Sequence, residues 1–271
     1  MALETEHFLA SRVKSKLTKG LHDVNRLARE IEKAGYKVVR LVQGEPDFDT
    51  PNHIKKAAEA ALAKGMTHYS PVEGLEEVRH IVAEKIKRDL GINYTPEKEV
   101  LITEGGTLGL FIAFMALINP GDEVLLPEIT FGPYLNMLSL AEGKPVFIPV
   151  ERKGKYFVIH WEEISRLATP RTKAVLLNDP QNPLGIVMSK KELELVGEMA
   201  LKKDLMVISD EVYEKLVFDG LKHISIASLS EELKERTVLV NSFSKTYAMT
   251  GWRIGYNAAN PCLLYTSDAA D

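Results

Sequence analysis

The sequence predicts an α/β fold, a mainly parallel sheet with helices on both faces, and three observations predict it. Short apolar runs rich in β-branched residues recur along the chain. Longer segments with helical spacing lie between most of them, and turn-forming residues mark the changes of period. The chain has 271 residues, 45% hydrophobic and 27% charged, enough for one large domain or a large one with a small companion.

In chain order, residues 15–34 read as a helix stopped by Gly35. A strand is expected at 37–42, before the turn formers of Gly44-Glu45-Pro46-Asp47-Phe48-Asp49-Thr50-Pro51. Pro51 suits the first turn of a helix over 52–64. Residues 100–103 read as a strand buried on both faces, leading into a mostly apolar helix over 107–118. Further buried strands are expected at 123–126, 145–149, 173–177, 205–209 and 237–240. A helix over 189–203 opens on a capping box, Ser189 with Glu192 three residues later.

A net charge of −4 gives no basic field for nucleic acid. No apolar run approaches the roughly 18 residues of a membrane span, and the acidic N-terminus lacks the plan of a signal peptide. The single cysteine, Cys262, precludes an internal disulfide. A soluble, cytoplasmic protein is expected. The last ten residues, 262–271, resemble a translated sequencing adapter and are set aside as a non-native tail, with the natural sequence expected to continue beyond Pro261. The seven histidines show no metal-ligand spacing and read as mostly solvated, so no metal site is expected.

The chemistry is concentrated where strands end. The run 238–256 carries an apolar strand into a loop of small hydroxyls holding Lys245, with Arg253 eight residues on. By itself Lys245 reads as a solvated loop lysine; a lysine held at a strand mouth beside an arginine is instead pushed toward its neutral amine, the form that makes Schiff bases with carbonyl compounds. Glu104-Gly105-Gly106-Thr107 opens the apolar helix; alone it reads as a plain turn, although its glycines and helix start also suit a phosphate. Asp210 closes an all-apolar strand, where a carboxylate needs a positive partner or a helix to cap. Asn182-Pro183 reads by itself as a turn, and Phe131 by itself as core.

Together these motifs resemble the class I/II aminotransferases, pyridoxal 5′-phosphate (PLP) enzymes of fold type I, over nearly all of residues 15–258. The resemblance implies a large domain over 47–261 with a mainly parallel seven-stranded sheet, and an incomplete small domain with an N-terminal arm over 1–46. It implies that Lys245 binds PLP covalently and later acts as a base, and that Asp210 pairs with the pyridine nitrogen. By the same resemblance, Asn182 and Tyr213 hold the ring hydroxyl oxygen, and Phe131 stacks on the ring. Gly105, Gly106, Thr107, Ser242 and Arg253 would form the phosphate cradle. Gly44 and Asn182 would face the substrate, and Tyr69 would reach the phosphate of a neighbouring subunit, which implies a homodimer.

The family pattern is not followed everywhere. Leu184 stands where the family has threonine, and Thr107 where one branch specific for acidic substrates has lysine. The arginine that anchors the substrate carboxylate comes from a C-terminal segment with no counterpart here, so the chain itself is expected to be poorly active. The activity implied is transamination between an amino acid and a 2-oxo acid. A PLP-dependent lyase or decarboxylase, or an inactive or regulatory PLP-binding relative, remain as alternatives.

Overall fold

In a computed structural model, residues 21–41 and 44–268 are described. Nine strands are found among them: β1 Val100–Thr103, β2 Glu123–Pro127, β3 Lys144–Ile148, β4 Val150–Lys153, β5 Tyr156–Ile159, β6 Thr172–Asn178, β7 Met206–Asp210, β8 Thr237–Ser242 and β9 Gly255–Ala258. The helices that matter for the site are α1 Leu21–Lys33, α2 Asn52–Ala63, α3 Glu76–Leu90, α4 Gly105–Leu117, α5 Pro133–Leu140, α6 Lys190–Lys202, α7 Phe243–Thr246 and α8 Pro261–Asp268.

Seven strands form one sheet in the order β1-β9-β8-β7-β6-β2-β3, parallel except at β9, which is antiparallel to both neighbours. The central strands are continuous apolar runs because both of their faces are covered. Alternate residues serve opposite cores, as the two-residue period of a strand dictates. Leu126, Ala174, Leu176, Ile208 and Val240 join the core beneath α4. Leu125, Val175, Leu177 and Val207 join the core beneath α6.

The apolar helix expected at 107–118 begins two residues earlier, at Gly105, and buries Leu110 and Phe114. α6 carries the expected capping box. The Ser189 Oγ accepts from the Glu192 amide at 3.3 Å, and the Glu192 carboxylate accepts from the Ser189 amide at 2.7 Å. Pro51 precedes α2 as its cap residue.

One expectation changes, one is only partly covered by the described residues, and two elements are added. The strand at 37–42 does not form over its described residues, 37–41. No described strand lies alongside to satisfy its backbone, and Val39 and Leu41 stand 73% and 88% exposed. Of the helix expected at 15–34, residues 21–33 are helical and 15–20 lie outside the described residues. The β4–β5 hairpin, turning at Gly154 with φ +65°, and strand β9 are additions. β9 is short and polar in part, yet it is wholly buried between β1 and β8. α8 begins at Pro261 and runs on into the segment set aside as a tail, where Leu264 is buried in the α4-side core.

β9 approaches the start of α4 closely. A Cβ at Gly255 would stand 2.6 Å from the Gly105 carbonyl carbon, 2.7 Å from the Gly106 nitrogen and 2.8 Å from the Asn241 oxygen. All three are backbone atoms that cannot rotate away. Gly255→Ala is therefore expected to lower stability by roughly 2–3 kcal/mol, at the upper end for overpacking. Urea unfolding checks this, and an unchanged midpoint would refute the close approach.

The N-terminal third is less covered. α2 has no buried residue; Leu62 within it is 63% exposed, and Met66 and Tyr69 beyond it are 57% and 106% exposed. No described helix is long and apolar enough to cross a membrane.

Candidate active site

A cavity of about 550 Å³ opens beyond the carboxyl ends of β1, β2, β6, β7 and β8. Ligands of open α/β sheets bind at such ends, because the loops that follow the strands converge there. Lys245 and Asp210 both line this cavity. The two side chains thus face one space, as the sequence reading requires.

Lys245 lies on α7, the single turn that follows β8. Its ammonium donates to the Gly44 carbonyl and sits 5.8 Å from the centre of the Tyr213 ring. Burial lowers its pKa, Glu45 opposes that shift, and Arg253 adds to it. The direction is the one a nucleophilic amine needs.

Asp210 ends β7 at 4% exposure. Its Oδ2 accepts from the Tyr134 hydroxyl at 2.6 Å and its Oδ1 from the Val212 amide at 3.2 Å. Desolvation raises its pKa to about 6 in spite of both donors, so the carboxylate lacks a full positive partner. Asn182, on the loop after β6, donates to the Tyr213 hydroxyl at 3.2 Å. Phe131 lies nearby, edge-on to Tyr134 with ring centroids 5.3 Å apart.

The opposite side is polar and cationic. α4 begins without a side-chain cap, so its first-turn N–H groups remain free to meet an anion. Gly105 has φ +79°, and a Cβ there would lie 2.3 Å from Arg253 Nη2. Only glycine lets the guanidinium approach this backbone. Arg253 itself adopts φ 54°, ψ 54°, a left-handed conformation disfavoured by roughly 1–2 kcal/mol in a residue with a Cβ. Its Nη1 donates to the Thr250 carbonyl at 2.8 Å, which fixes the fork in place. Ser242 Oγ donates to Ser244 Oγ at 2.8 Å and accepts from the Ser244 amide at 3.0 Å.

Uncapped amides, two hydroxyls and a guanidinium suit a phosphate. A strand-end carboxylate in need of a cation suits a protonated ring nitrogen, and a half-buried, depressed lysine suits an aldehyde. The side chains present therefore fit PLP.

Gly44, Gly106, Thr107 and Phe131 line the cavity, as do Asn182, Tyr213, Ser242 and Arg253. Gly105 lies directly behind, against Arg253. Tyr69 does not reach it and stands fully exposed. The sequence reading did not single out Tyr134, Ser244 or Glu45, although Ser244 and Glu45 fall in runs it had marked. It also took the histidines as mostly solvated, whereas the His223 side chain is 4% exposed between Asp179 and Glu211. Two acids placed just past adjacent strand ends were the available signal.

Comparison with known proteins identifies the family and the fold. The model of the family described as "Aminotransferase class I and II" matches residues 36–268. An aspartate aminotransferase of Bacillus subtilis is 40% identical over 252 residues, covering 93% of this chain and 64% of that protein. The aromatic-amino-acid aminotransferase 2 of Thermococcus litoralis is 46% identical over 222 residues, covering 82% and 57%. Thus the chain spans about two-thirds or less of the length of these relatives. Among solved structures, the aspartate aminotransferase of Thermus thermophilus with maleate superposes with a TM-score of 0.91 at 38% identity, covering 96% of this chain and 67% of that one. The N-succinyldiaminopimelate aminotransferase of Mycobacterium tuberculosis gives 0.90 at 36%, covering 97% and 67%.

Proposed function

The chain belongs to the class I and II aminotransferase family, and from that premise we propose that it moves an amino group between an amino acid and a 2-oxo acid, with PLP as cofactor. The observation that carries this is the convergence of Lys245, Asp210 and Arg253 on one cavity. Bound there, PLP supplies an electron-poor ring that accepts the electron pair left on the substrate carbon.

The protein's own groups do the rest. The Lys245 amine would hold the cofactor covalently; once displaced, it would take the proton from the substrate carbon and deliver it to the cofactor carbon that receives the amino group. Asp210 keeps the ring nitrogen charged, and Tyr134 and the Val212 amide hold that carboxylate in place. Asn182 and Tyr213 would orient the ring hydroxyl, and Phe131 would cover the ring face. Gly105, Gly106 and Thr107 offer backbone amides to the phosphate, Ser242 and Ser244 offer hydroxyls, and Arg253 offers its fork. Gly44, whose carbonyl accepts from Lys245, faces the substrate side together with Asn182.

A cytoplasmic homodimer accounts for the uncovered N-terminal surface. The apolar side chains beyond α2 would meet a second copy, with Tyr69 reaching the partner's phosphate. In this reading residues 47–261 form the PLP-binding domain, residues 1–46 belong to an arm and small domain, and residues 262–271 are foreign to the natural protein.

Aspartate, an aromatic amino acid and N-succinyldiaminopimelate are the donors to test, because the relatives are named for them. The full-length protein is expected to bind PLP and to pass the amino group of one donor class to 2-oxoglutarate in equal amounts. Ammonia release without need of a 2-oxo acid would favour a lyase instead.

A further inference from the structure

One buried cluster has no part in the chemistry above. β6 and β7 are neighbours in register, with Asn178 opposite Asp210 at their ends. The next residue on each, Asp179 and Glu211, does not line the cavity, and the two are 2% and 0% exposed. His223 lies between them. Its Nδ1 is 3.0 Å from Asp179 Oδ2, and its Nε2 is 2.8 Å from Glu211 Oε2.

A neutral imidazole has a single N–H, which would leave a ring lone pair facing a carboxylate lone pair. With both carboxylates ionised, both contacts can be hydrogen bonds only when the ring is an imidazolium; burial raises the Asp179 pKa, and the hydrogen bond and charge of His223 oppose that shift. Burial pulls the imidazole pKa down, but Glu211 and Asp179 outweigh it and raise it to about 10.

The remaining bonds show what the cluster holds. Asp179 Oδ1 accepts from the Met188 amide at 2.7 Å, where the loop after β6 returns. Asn178 Nδ2 donates to the Asp210 carbonyl at 3.1 Å, while Asn178 Oδ1 accepts from the Asn182 amide at 2.7 Å. Glu211 Oε1 accepts from the hydroxyls of Ser209 at 2.9 Å and Ser225 at 2.6 Å. The loop bearing Asn182 and the strand end bearing Asp210 are thus joined from behind.

We propose that His223 is a positioning residue: its imidazolium clamps Asp179 to Glu211 and so holds the Asn182, Tyr213 and Asp210 side of the cavity at the spacing a bound ring requires. The phosphate cradle, on β8, α4 and the Arg253 loop, does not depend on this clamp.

The test compares two ligands, PLP and inorganic phosphate, on the full-length protein; its PLP arm rests on the function proposed above. In His223→Gln, PLP affinity is expected to fall by about tenfold or more, because a shifted wall misplaces every ring contact. Phosphate affinity is expected to change by less than about twofold, since the cradle is a separate site. A merely structural residue would weaken both alike or neither, and either result overturns the clamp. Should His223→Gln fail to fold, His223→Gln/Glu211→Gln removes one cation with one anion and leaves the cluster's net charge unchanged. PLP affinity is expected to stay low there too; recovery to the wild-type value would show charge balance alone at work and overturn the proposal. A further arm needs no cofactor. Nitrogen-15 shifts of the His223 ring at about pH 8, well above an ordinary histidine pKa, are expected to show both nitrogens protonated. A neutral ring overturns the clamp. Wild-type protein that does not bind PLP would instead defeat the proposed function and leave the ring measurement to decide this one.

Discussion

Replacing Lys245 with alanine is expected to abolish covalent capture of PLP and to slow transamination by roughly 10³–10⁴-fold, the upper part of the range for removing a positioned acid–base group. The loss is expected to be large because, in the function proposed, one amine serves two roles, nucleophile toward the cofactor and base toward the substrate. Its position makes both possible. Lys245 is half-buried on the turn after β8, its pKa lowered by burial and by Arg253, and its ammonium is held at the Gly44 carbonyl. The phosphate cradle remains intact in the variant, so PLP still binds, but without a covalent link. Borohydride reduction followed by peptide mass mapping reads this directly. Wild-type protein should carry the added mass on the peptide containing Lys245, and the variant should carry none. The same mass on another lysine of the variant would remove Lys245 from its role.

The second large effect falls on Asp210 and has opposite signs for activity and for stability. Asp210→Asn keeps an acceptor for Tyr134 but discards the charge that stabilises a protonated ring nitrogen. Turnover is expected to fall by about 10²–10³-fold, comparable to losing one preorganised charge stabiliser. In the cofactor-free protein the same change should help folding. Burial raises the folded-state pKa of Asp210 to about 6, against an ordinary value of 3.8. A raised acid binds its proton more tightly when folded, so its ionisation erodes stability as pH rises from roughly 4 to 6. Above that window the erosion amounts to about 3 kcal/mol by linkage. Thermal unfolding without PLP, at pH 4 and pH 7 (both about), should therefore show Asp210→Asn gaining on wild type only at the higher pH. Equal behaviour at both would mean that Asp210 already has a cationic partner.

How much of this was legible in the sequence depended on how local the signal was. β1, β2, β6, β7 and β8 announce themselves as apolar runs because each is covered on both faces. Apart from Arg253, every residue assigned to the cradle or the ring sits within a few positions of one of these strand ends. β9 could not be read in the same way. Gly255-Tyr256-Asn257-Ala258 is too short and too polar to stand out, and it is buried only because β1 and β8 leave a gap of its width. Residues 37–41 show the reverse: a good strand pattern stays unpaired where no described strand lies beside it. Tyr134 and His223 were missed because their partners, Asp210 on one hand and Asp179 with Glu211 on the other, lie far away in sequence.

The placement of β9 bears on how the protein is made. β1 meets the sheet only through β9, with Val100 opposite Ala258. A nascent chain must therefore emerge from the ribosome past Ala258 before Val100–Thr103 can take its place. Until then β8 presents a bare edge, open to pairing with other chains. Such long-range closure is slow and exposes apolar surface while it lasts. Chaperone demand during synthesis should thus peak in the interval before β9 appears and fall once it has inserted.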